Sequence, residues 1–325
     1  MANRVSIIMY HYVRDLAHSK YPEIKGLDVS LFKEQLHYIL KHYTVIRMEE
    51  LLAALKNKSQ LPKNALLLTF DDAYKDHVEQ VLPVLSGLGV QGSFFIPAKT
   101  IVEHRVLDVN KIHFILAMVH DKQELIKDIF TLLDKYRSEY ALEANEVYYK
   151  RLATEHRFDV PDVVFIKRIL QRDLPERLRM ILANELFEKY VTKNEGEFSR
   201  QLYLNYDDLK HMRKKGMFVG SHGFDHYWLN TLTKEVQSRE VELSLDFLQT
   251  LGCNVQEFVF CYPYGAYDDS LLSVLKEKGC GAAFTTIVGI ADLDRDNPLL
   301  LPRLDTNDLP KDRNASPNAW TLQIL

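Results

Sequence analysis

Two carboxylates side by side, Asp71 and Asp72, close the run Ala-Leu-Leu-Leu-Thr-Phe that begins at Ala65. Two histidines four residues apart, His222 and His226, follow Ser221 in Ser-His-Gly-Phe-Asp-His. Adjacent buried like charges are costly unless a cation or a proton separates their roles. A metal on one carboxylate and proton transfer on the other resolves the conflict. Histidines at this spacing can reach one ion from a helical turn or a tight loop, and two His with one carboxylate form a catalytic metal set with positions left open. The plainer alternatives are a solvated Asp71 with Asp72 capping the next helix, and a satisfied surface pair of histidines. A third stretch, Tyr262-Pro263-Tyr264-Gly265, offers a turn in which Pro263 fixes φ and Gly265 admits close approach of the backbone to a ligand. The Tyr264 amide could then point at an oxyanion, or the stretch is a simple loop.

All three stretches sit just past strand-like runs. Strand side chains alternate in direction, so Asp71 and Asp72 can share one cleft only if the chain turns at the strand's end. In α/β architectures that carboxyl end is where ligands bind. Val5–Tyr10 reads as a first strand that delivers His11 and Tyr12 in the same way. Helical patterns over Ser30–His42 and Met48–Lys56 precede the Asp71–Asp72 strand. A helix over Tyr74–Leu88 and a strand over Gly92–Ile96 follow it. The rhythm resumes at Asn205, where Asn205 and Asp208 form a capping-box pattern for a helix over Tyr206–Lys215. Strands over Met217–Ser221, Glu257–Tyr262, Ala282–Thr286 and Leu299–Leu304 alternate with helices over Thr233–Leu251 and after Asp268. This predicts an α/β fold, a distorted (β/α) barrel of seven or eight strands. Between the flanks, about Glu103 to Phe198, glycine is nearly absent and Leu, Ile, Glu, Lys and Arg dominate. That predicts a helical insertion broken at Pro161 and Pro175, whose His104, His113, His120 and His156 have no ligand-like spacing. The expected division is a discontinuous barrel, 1–102 and 199–325, around an insertion, 103–198. The tail after Thr306, with Pro310, Pro317 and several Asn and Asp, is expected to be loosely structured.

With 325 residues, 46% hydrophobic and 26% charged, the chain has the composition of a globular enzyme. A formal net charge of −4 argues against a general nucleic-acid binder, which needs a basic face. Cys253, Cys261 and Cys280 are too few and too clustered for a disulfide framework. No apolar stretch approaches the ~18 residues a transmembrane helix needs, and the apolar run after the N-terminus is short for a signal peptide. The sequence as written therefore reads as cytoplasmic, although a chain trimmed of an export signal would look the same and would be exported or membrane-associated.

Thr69-Phe70-Asp71-Asp72, His222-x-x-x-His226 and Tyr262-Pro263-Tyr264-Gly265, in this order, resemble the first three motifs of the polysaccharide deacetylases, the NodB-homology family or carbohydrate esterase family 4. The resemblance covers about Val5–Ala98 and Asn205–Thr306 and leaves the helical middle unaccounted for. It implies a distorted (β/α) barrel and metal-dependent hydrolysis of the N-acetyl group of an amino sugar, an amidohydrolase reaction. Carried over residue by residue, Asp72, His222 and His226 would hold a divalent metal, usually Zn2+, with Co2+, Ni2+, Mn2+ or Fe2+ as alternatives. Asp71 would be the general base that activates water. The Tyr264 N–H, in its Pro263–Gly265 turn, would stabilise the tetrahedral oxyanion. These roles agree with the chemistry of the residues.

Two departures from the family pattern matter. An arginine that often stands two residues before the motif's proline, where it orients the base, is Cys261 here; Arg303, at the end of a late strand, is a candidate replacement or an ordinary ion-pair residue. No histidine follows His226, so a late general-acid histidine is lacking. Tyr10-His11 resembles the subgroup, similar to bacterial poly-N-acetylglucosamine deacetylases, whose acid comes from an N-terminal strand. The pKa range of histidine suits His11 to that task.

The leading expectation is thus a metal-dependent deacetylase acting on an N-acetylated amino sugar in a polysaccharide or glycan precursor. A C–N hydrolase of a small non-sugar amide and a catalytically inactive sugar-binding protein are the alternatives. Tyr12, Tyr74, Phe224, Tyr227, Trp228 and Tyr264 are aromatics suited to sugar faces or to packing. The pattern specifies neither a protein partner nor an oligomeric state.

Overall fold

A computed structural model describes residues 3–155 and 159–324; His156 lies outside the described residues. Seven strands form the frame: β1 (Arg4–Tyr10), β2 (Ala65–Phe70), β3 (Ser93–Ile96), β4 (Phe218–Ser221), β5 (Val259–Cys261), β6 (Ala282–Val288) and β7 (Leu301–Asp305). Each pairs in parallel with its neighbour in sequence, and β1 pairs with β7, so the sheet closes into a barrel. The seam β1–β2 is in continuous register from Val5↔Ala65 to Tyr10↔Phe70, which sets His11 beside Asp71. Short strands at Thr44–Val45 and Ala291–Asp292 extend β2 and β1 outside the ring.

The expected (β/α) barrel is what the chain forms, and strand alternation explains what it presents. Val5, Ile7, Leu67, Phe95, Val259, Phe284 and Leu301 pack into one buried cluster, drawn from six strands of the ring. Residues of the opposite parity on the strands, Ile8, Leu66, Leu68, Phe94 and Val219, join another cluster with the flanking helices. The first set fills the barrel interior, as period-two alternation in a closed sheet requires. Continuing its parity brings Thr69, Asp71, Cys261, Arg303, His222 and His11 inward at the carboxyl ends. Gly220 shares that parity. A Cβ there would lie 2.7 Å from the Phe95 ring and 3.0 Å from the Val259 carbonyl oxygen, so only glycine fits below His222.

The described residues form two compact units: Met1–Asp15, Gly26–His104 and Arg200–Leu325 as the first, Leu16–Lys25 with Arg105–Ser199 as the second. The second is helical, with helices including Asp108–Met118, Lys122–Tyr140, Pro161–Arg168 and Glu176–Tyr190; Pro161 opens one and Pro175 caps another. Tyr21 packs edge-on against Phe114 and Phe198 within it.

Two local expectations are corrected. Residues 74 and 75 are not helical: the helical segment begins at Asp76 and runs through a π turn at His77–Val81 into the helix Leu82–Leu88, because Tyr74 is held in a bridge to Tyr203. The tail is ordered rather than loose. It ends in a helix, Ala319–Ile324, whose fully buried Thr321 hydroxyl lies 2.8 Å from Tyr38 Oη and accepts from Tyr43 Oη at 2.9 Å. Within the tail Asp308, Asp312 and Asn318 accept the backbone N–H groups of Asp305, Asn314 and Thr321.

Candidate active site

Asp71 continues the inward parity of β2 and is 1% exposed. Arg303, equally buried on β7, grips both of its oxygens: Nη1 to Oδ1 at 3.1 Å and Nη2 to Oδ2 at 2.8 Å. The guanidinium is itself fixed, with Nε donating to the Thr285 carbonyl at 2.9 Å and Nη1 to Thr69 Oγ1 at 3.2 Å. A register shift between β6 and β7, around Thr285, makes room for this side chain. The Cys261 thiol donates to Asp71 Oδ2 at 3.4 Å, so Cys261 touches the carboxylate while Arg303 supplies the guanidinium. Burial alone would raise the Asp71 carboxyl, but the Arg303 charge holds it below the usual range, and it is ionised at neutral pH.

Asp72 would point outward on a continuing strand. It does not, because the chain leaves β2 through two successive left-handed residues, Asp72 (φ 72) and Ala73 (φ 56). Non-glycine residues reach this region only when surrounding structure compels them. Here the Ala73 carbonyl accepts from the Leu204 N–H and the Lys75 N–H donates to the Leu202 carbonyl, pinning the turn from both sides. The turn sets Asp72 Oδ1 3.4 Å from Nε2 of His222 and 3.4 Å from Nε2 of His226, while Oδ2 accepts from Tyr74 Oη at 2.7 Å. Asp72 is therefore not a helix cap, and the histidines, 2% and 8% exposed, are not a surface pair.

These three residues fit a divalent cation. Their ligand atoms lie within 4.8 Å of one another, and Asp72 Oδ1 is buried with no hydrogen-bond partner among the described residues. His222 Nδ1 lies 2.8 Å from the Cys261 carbonyl, to which it can only donate, so in the neutral ring Nε2 presents its lone pair to the cluster. The two Nε2 atoms are 3.2 Å apart, an arrangement that needs a positive charge or a proton between them. Burial, and then the neighbouring His222, pushes His226 down to about 3, so that ring is neutral at pH 7. Burial opposes charge on the Asp72 carboxyl too, yet the histidines hold it well below the usual range. Asp71, His222 and Cys261 also lie within ligand distance, but Arg303 occupies the Asp71 oxygens.

The loop carrying His226 is tethered at its middle. Glu240, 5% exposed, accepts the N–H groups of Phe224 at 3.2 Å and Asp225 at 2.9 Å. Burial pushes its carboxyl up to about 7. Lys99 forms an ion pair with Asp225, and the Ala98 and Lys99 N–H groups donate to the Gly223 and Phe224 carbonyls.

His11, 42% exposed at its side chain, brings Nε2 to 3.9 Å from Asp71 Oδ2. Its carbonyl is held at 2.9 Å by Nε2 of buried His77, which burial pushes down to about 4 and keeps neutral. Pro263, Tyr264 and Gly265 form a short turn in which Tyr264 has φ 58. The Tyr264 ring stacks on Trp228 with centroids 4.4 Å apart and meets His226 edge-on at 4.8 Å. A Cβ on Gly265, at φ 69, would fall 2.2 Å from Thr286 Oγ1. Hence Asp71, Asp72, His222, His226, His11, Arg303 and the 263–265 turn all converge on the carboxyl end of the barrel.

Tyr12, Tyr74 and Phe224 do not line a sugar face. They are buried, Tyr12 stacking on Tyr74 with centroids 3.9 Å apart, whereas Tyr227, Trp228 and Tyr264 keep partial exposure. The supporting residues His77 and Glu240 escaped sequence reading, since a lone His or Glu on a helical segment carries no pattern.

A family model described as polysaccharide deacetylase matches residues 58–137 and 186–283, more than half of the chain. YxkH of Bacillus subtilis (strain 168), assigned by name to the polysaccharide deacetylases, is 29% identical over 93 residues; the match spans 29% of this chain and 33% of that relative. The fold resembles the Streptococcus pyogenes deacetylase PplD, solved with acetate, at TM-score 0.59 and 19% identity over 100% of this chain and 99% of that one. It also resembles IcaB from Ammonifex degensii, at TM-score 0.55 and 17% identity over 98% and 95% of the two chains. A de-N-acetylase from Aggregatibacter actinomycetemcomitans matches at TM-score 0.53 and 15% identity, over 99% and 100%.

Proposed function

This chain belongs to the polysaccharide deacetylase family, and from that premise we propose that it hydrolyses the N-acetyl group of an amino sugar, in a polysaccharide or glycan precursor, with a divalent cation held by Asp72, His222 and His226. The observation that carries the reading is the unpaired, buried Asp72 Oδ1 facing two histidine nitrogens, one residue from an ionised carboxylate fixed by arginine. A bound divalent cation, Zn2+ being one that suits two imidazoles and a carboxylate, would supply Lewis acidity, lowering the pKa of water and polarising the amide carbonyl.

The chain's own residues account for the rest. Asp71 is ionised and accepts the proton of the attacking water; Arg303 orients it and fixes which oxygen edge faces the cleft. The Tyr264 N–H, in the turn set by Pro263 and Gly265, stabilises the oxygen that gains charge as the carbonyl carbon becomes tetrahedral. His11 returns a proton to the leaving nitrogen as the C–N bond breaks, releasing acetate and a free amine. Its Nε2 stands 3.9 Å from Asp71 Oδ2, so acid and base share one cleft. The stacked Tyr264 and Trp228 rings offer a face for the sugar. The division of the chain into a barrel, 1–102 and 199–325, and an insertion, 103–198, belongs to this reading, with every role assigned to the barrel parts.

A small non-sugar amide drew its support from the arginine absent at Cys261, and Arg303 on Asp71 removes that ground. The test is acetate release from N-acetylglucosamine oligomers by protein reconstituted with Zn2+, read beside metal content. Release that disappears on chelation and in His11→Ala supports the reading. One Zn2+ per chain with no acetate from any N-acetylated sugar sinks it.

A further inference from the structure

Resting on the cation reading above, we infer that Tyr74 is a positioning residue of the candidate metal centre: its hydroxyl decides which oxygen of Asp72 faces His222 and His226. The two carboxylate oxygens have different surroundings. Oδ2 accepts from Tyr74 Oη at 2.7 Å, and Oδ1 has no hydrogen-bond partner while lying 3.4 Å from each Nε2. A carboxylate free to rotate would offer either oxygen, or both at once. The phenol removes that choice and leaves Oδ1 as the single donor atom toward the histidines.

The phenol cannot move away to undo this. Tyr74 is fully buried, stacked on Tyr12 at 3.9 Å and near-parallel to Tyr203 at 6.2 Å between ring centroids. The left-handed pair Asp72–Ala73 folds residue 74 back beneath residue 72, and the Tyr74↔Tyr203 bridge locks the backbone there. Tyr74 Oη carries one proton, which goes to Asp72. Carboxylates that ligate metals are themselves hydrogen-bonded, and loss of such a partner weakens metal binding about 10–100-fold.

The experiment titrates metal-stripped wild type, Tyr74→Phe, Tyr12→Phe and Tyr203→Phe with Zn2+ against a chromophoric chelator. The visible spectrum of each Co2+ derivative and the melting temperature of each metal-free protein are recorded alongside. Phenylalanine keeps both stacks and removes only the hydroxyl. Tyr74→Phe is expected to bind Zn2+ about 10–100-fold more weakly with an altered Co2+ spectrum, and Tyr12→Phe and Tyr203→Phe, which leave the Tyr74 hydroxyl in place, like wild type. An unchanged Zn2+ constant and Co2+ spectrum in Tyr74→Phe, with only the melting temperature lowered, overturns the inference and makes Tyr74 a core residue. Should Tyr74→Phe fail to fold, 3,5-difluorotyrosine at position 74 decides, since it keeps the ring stacks and the hydroxyl but changes the strength of its hydrogen bond: a shifted Zn2+ constant and Co2+ spectrum uphold the inference and unchanged ones overturn it. Wild type that binds no Zn2+ overturns the cation reading, and this inference with it.

Discussion

Asp71 meets a guanidinium, a thiol and, through Arg303, the Thr69 hydroxyl, so both its oxygens are engaged within the protein. Asp72, one residue on, has one oxygen on Tyr74 and the other without a hydrogen-bond partner. Asp71 and its partners come from strands whose alternation points them inward. Asp72 and His226 come from backbone at positive φ, held by neighbouring segments. The comparison separates two means of making a buried carboxylate tolerable. One is neutralised inside the fold and is free to take up a proton during a reaction. The other keeps a lone pair for a ligand that arrives from outside.

Breaking each half in turn should cost most of the activity in both cases but with opposite metal content. Asp71→Asn removes the general base and should cost about 10²–10⁴-fold in acetate release with the cation retained. Asp72→Asn should abolish release together with most of the bound metal, measured by elemental analysis after dialysis. Equal metal loss in both variants would mean that the two carboxylates are not divided as argued.

Removing the internal counter-charge tests the Asp71 half alone. Arg303→Met leaves Asp71 buried and uncompensated, and breaking a buried pair in this way costs about 3–5 kcal/mol. The urea midpoint of the metal-free variant should fall accordingly, and the Asp71 carboxyl, freed of Arg303, should rise. A smaller fall is expected for Tyr74→Phe in metal-free protein, which removes one hydrogen bond from Asp72, worth about 1.5–3 kcal/mol to a charged group, and leaves both histidines beside it. Similar falls in both would erase the contrast.

The loop that carries His226 can be sharpened through Glu240, whose carboxyl is pushed by burial up to about 7 against an ordinary value of 4.5. The folded state keeps a proton that the unfolded chain releases across that interval. Stability from this group is therefore present below about pH 4.5, falls as pH rises toward 7, and stays lower above it. Asp225 adds to the upward push and Lys99 opposes it. Gln at 240 can still accept from the Phe224 and Asp225 N–H groups but cannot ionise. Glu240→Gln should flatten the decline between pH 5 and 8 and be more stable at pH 8 by about 3 kcal/mol. Urea midpoints across that range, each compared with wild type at the same pH, measure it; parallel curves would discard the assignment.

The same contrast explains what sequence could convey. Period-two alternation is written in the strands, so Asp71, His222 and Arg303 could be placed at strand ends and a barrel inferred from the βα rhythm. Arg303 nevertheless stayed undecided between orienting the base and an ordinary ion pair, because its partnership with Asp71 is made by closure of the ring, which brings β7 beside β1 and on to β2. Asp72 and His226 stood out as candidate ligands by type and spacing but took their definite roles from motif resemblance, since nothing in the letters Asp-Asp-Ala announces two left-handed residues. The buried tyrosines read as sugar platforms or as packing, and burial decided for packing. Likewise the tail's Asn and Asp residues suggested solvent, whereas Thr321 shows that a polar terminus can be drawn into the core by tyrosine hydroxyls.

The smallest effect concerns Ala73, whose φ of 56 brings Asp72 and Tyr74 together. Left-handed backbone costs a residue with a Cβ about 1–2 kcal/mol, which glycine escapes. Against that gain, Ala73→Gly loses a fully buried methyl, about 0.8 kcal/mol, and adds about 0.4–1 kcal/mol of unfolded-chain entropy. These terms nearly cancel, so the variant should lie within about 0.5 kcal/mol of wild type. Ala54, 2% exposed in the helix Met48–Asn57, loses the same methyl on Ala54→Gly but relieves no strain, and that variant should lose about 1.5–2 kcal/mol. The difference between the two substitutions, read from urea midpoints of metal-free protein, measures the strain stored beside Asp72. If Ala73→Gly costs as much as Ala54→Gly, the turn is not strained, and the Asp72 half is held no differently from the Asp71 half.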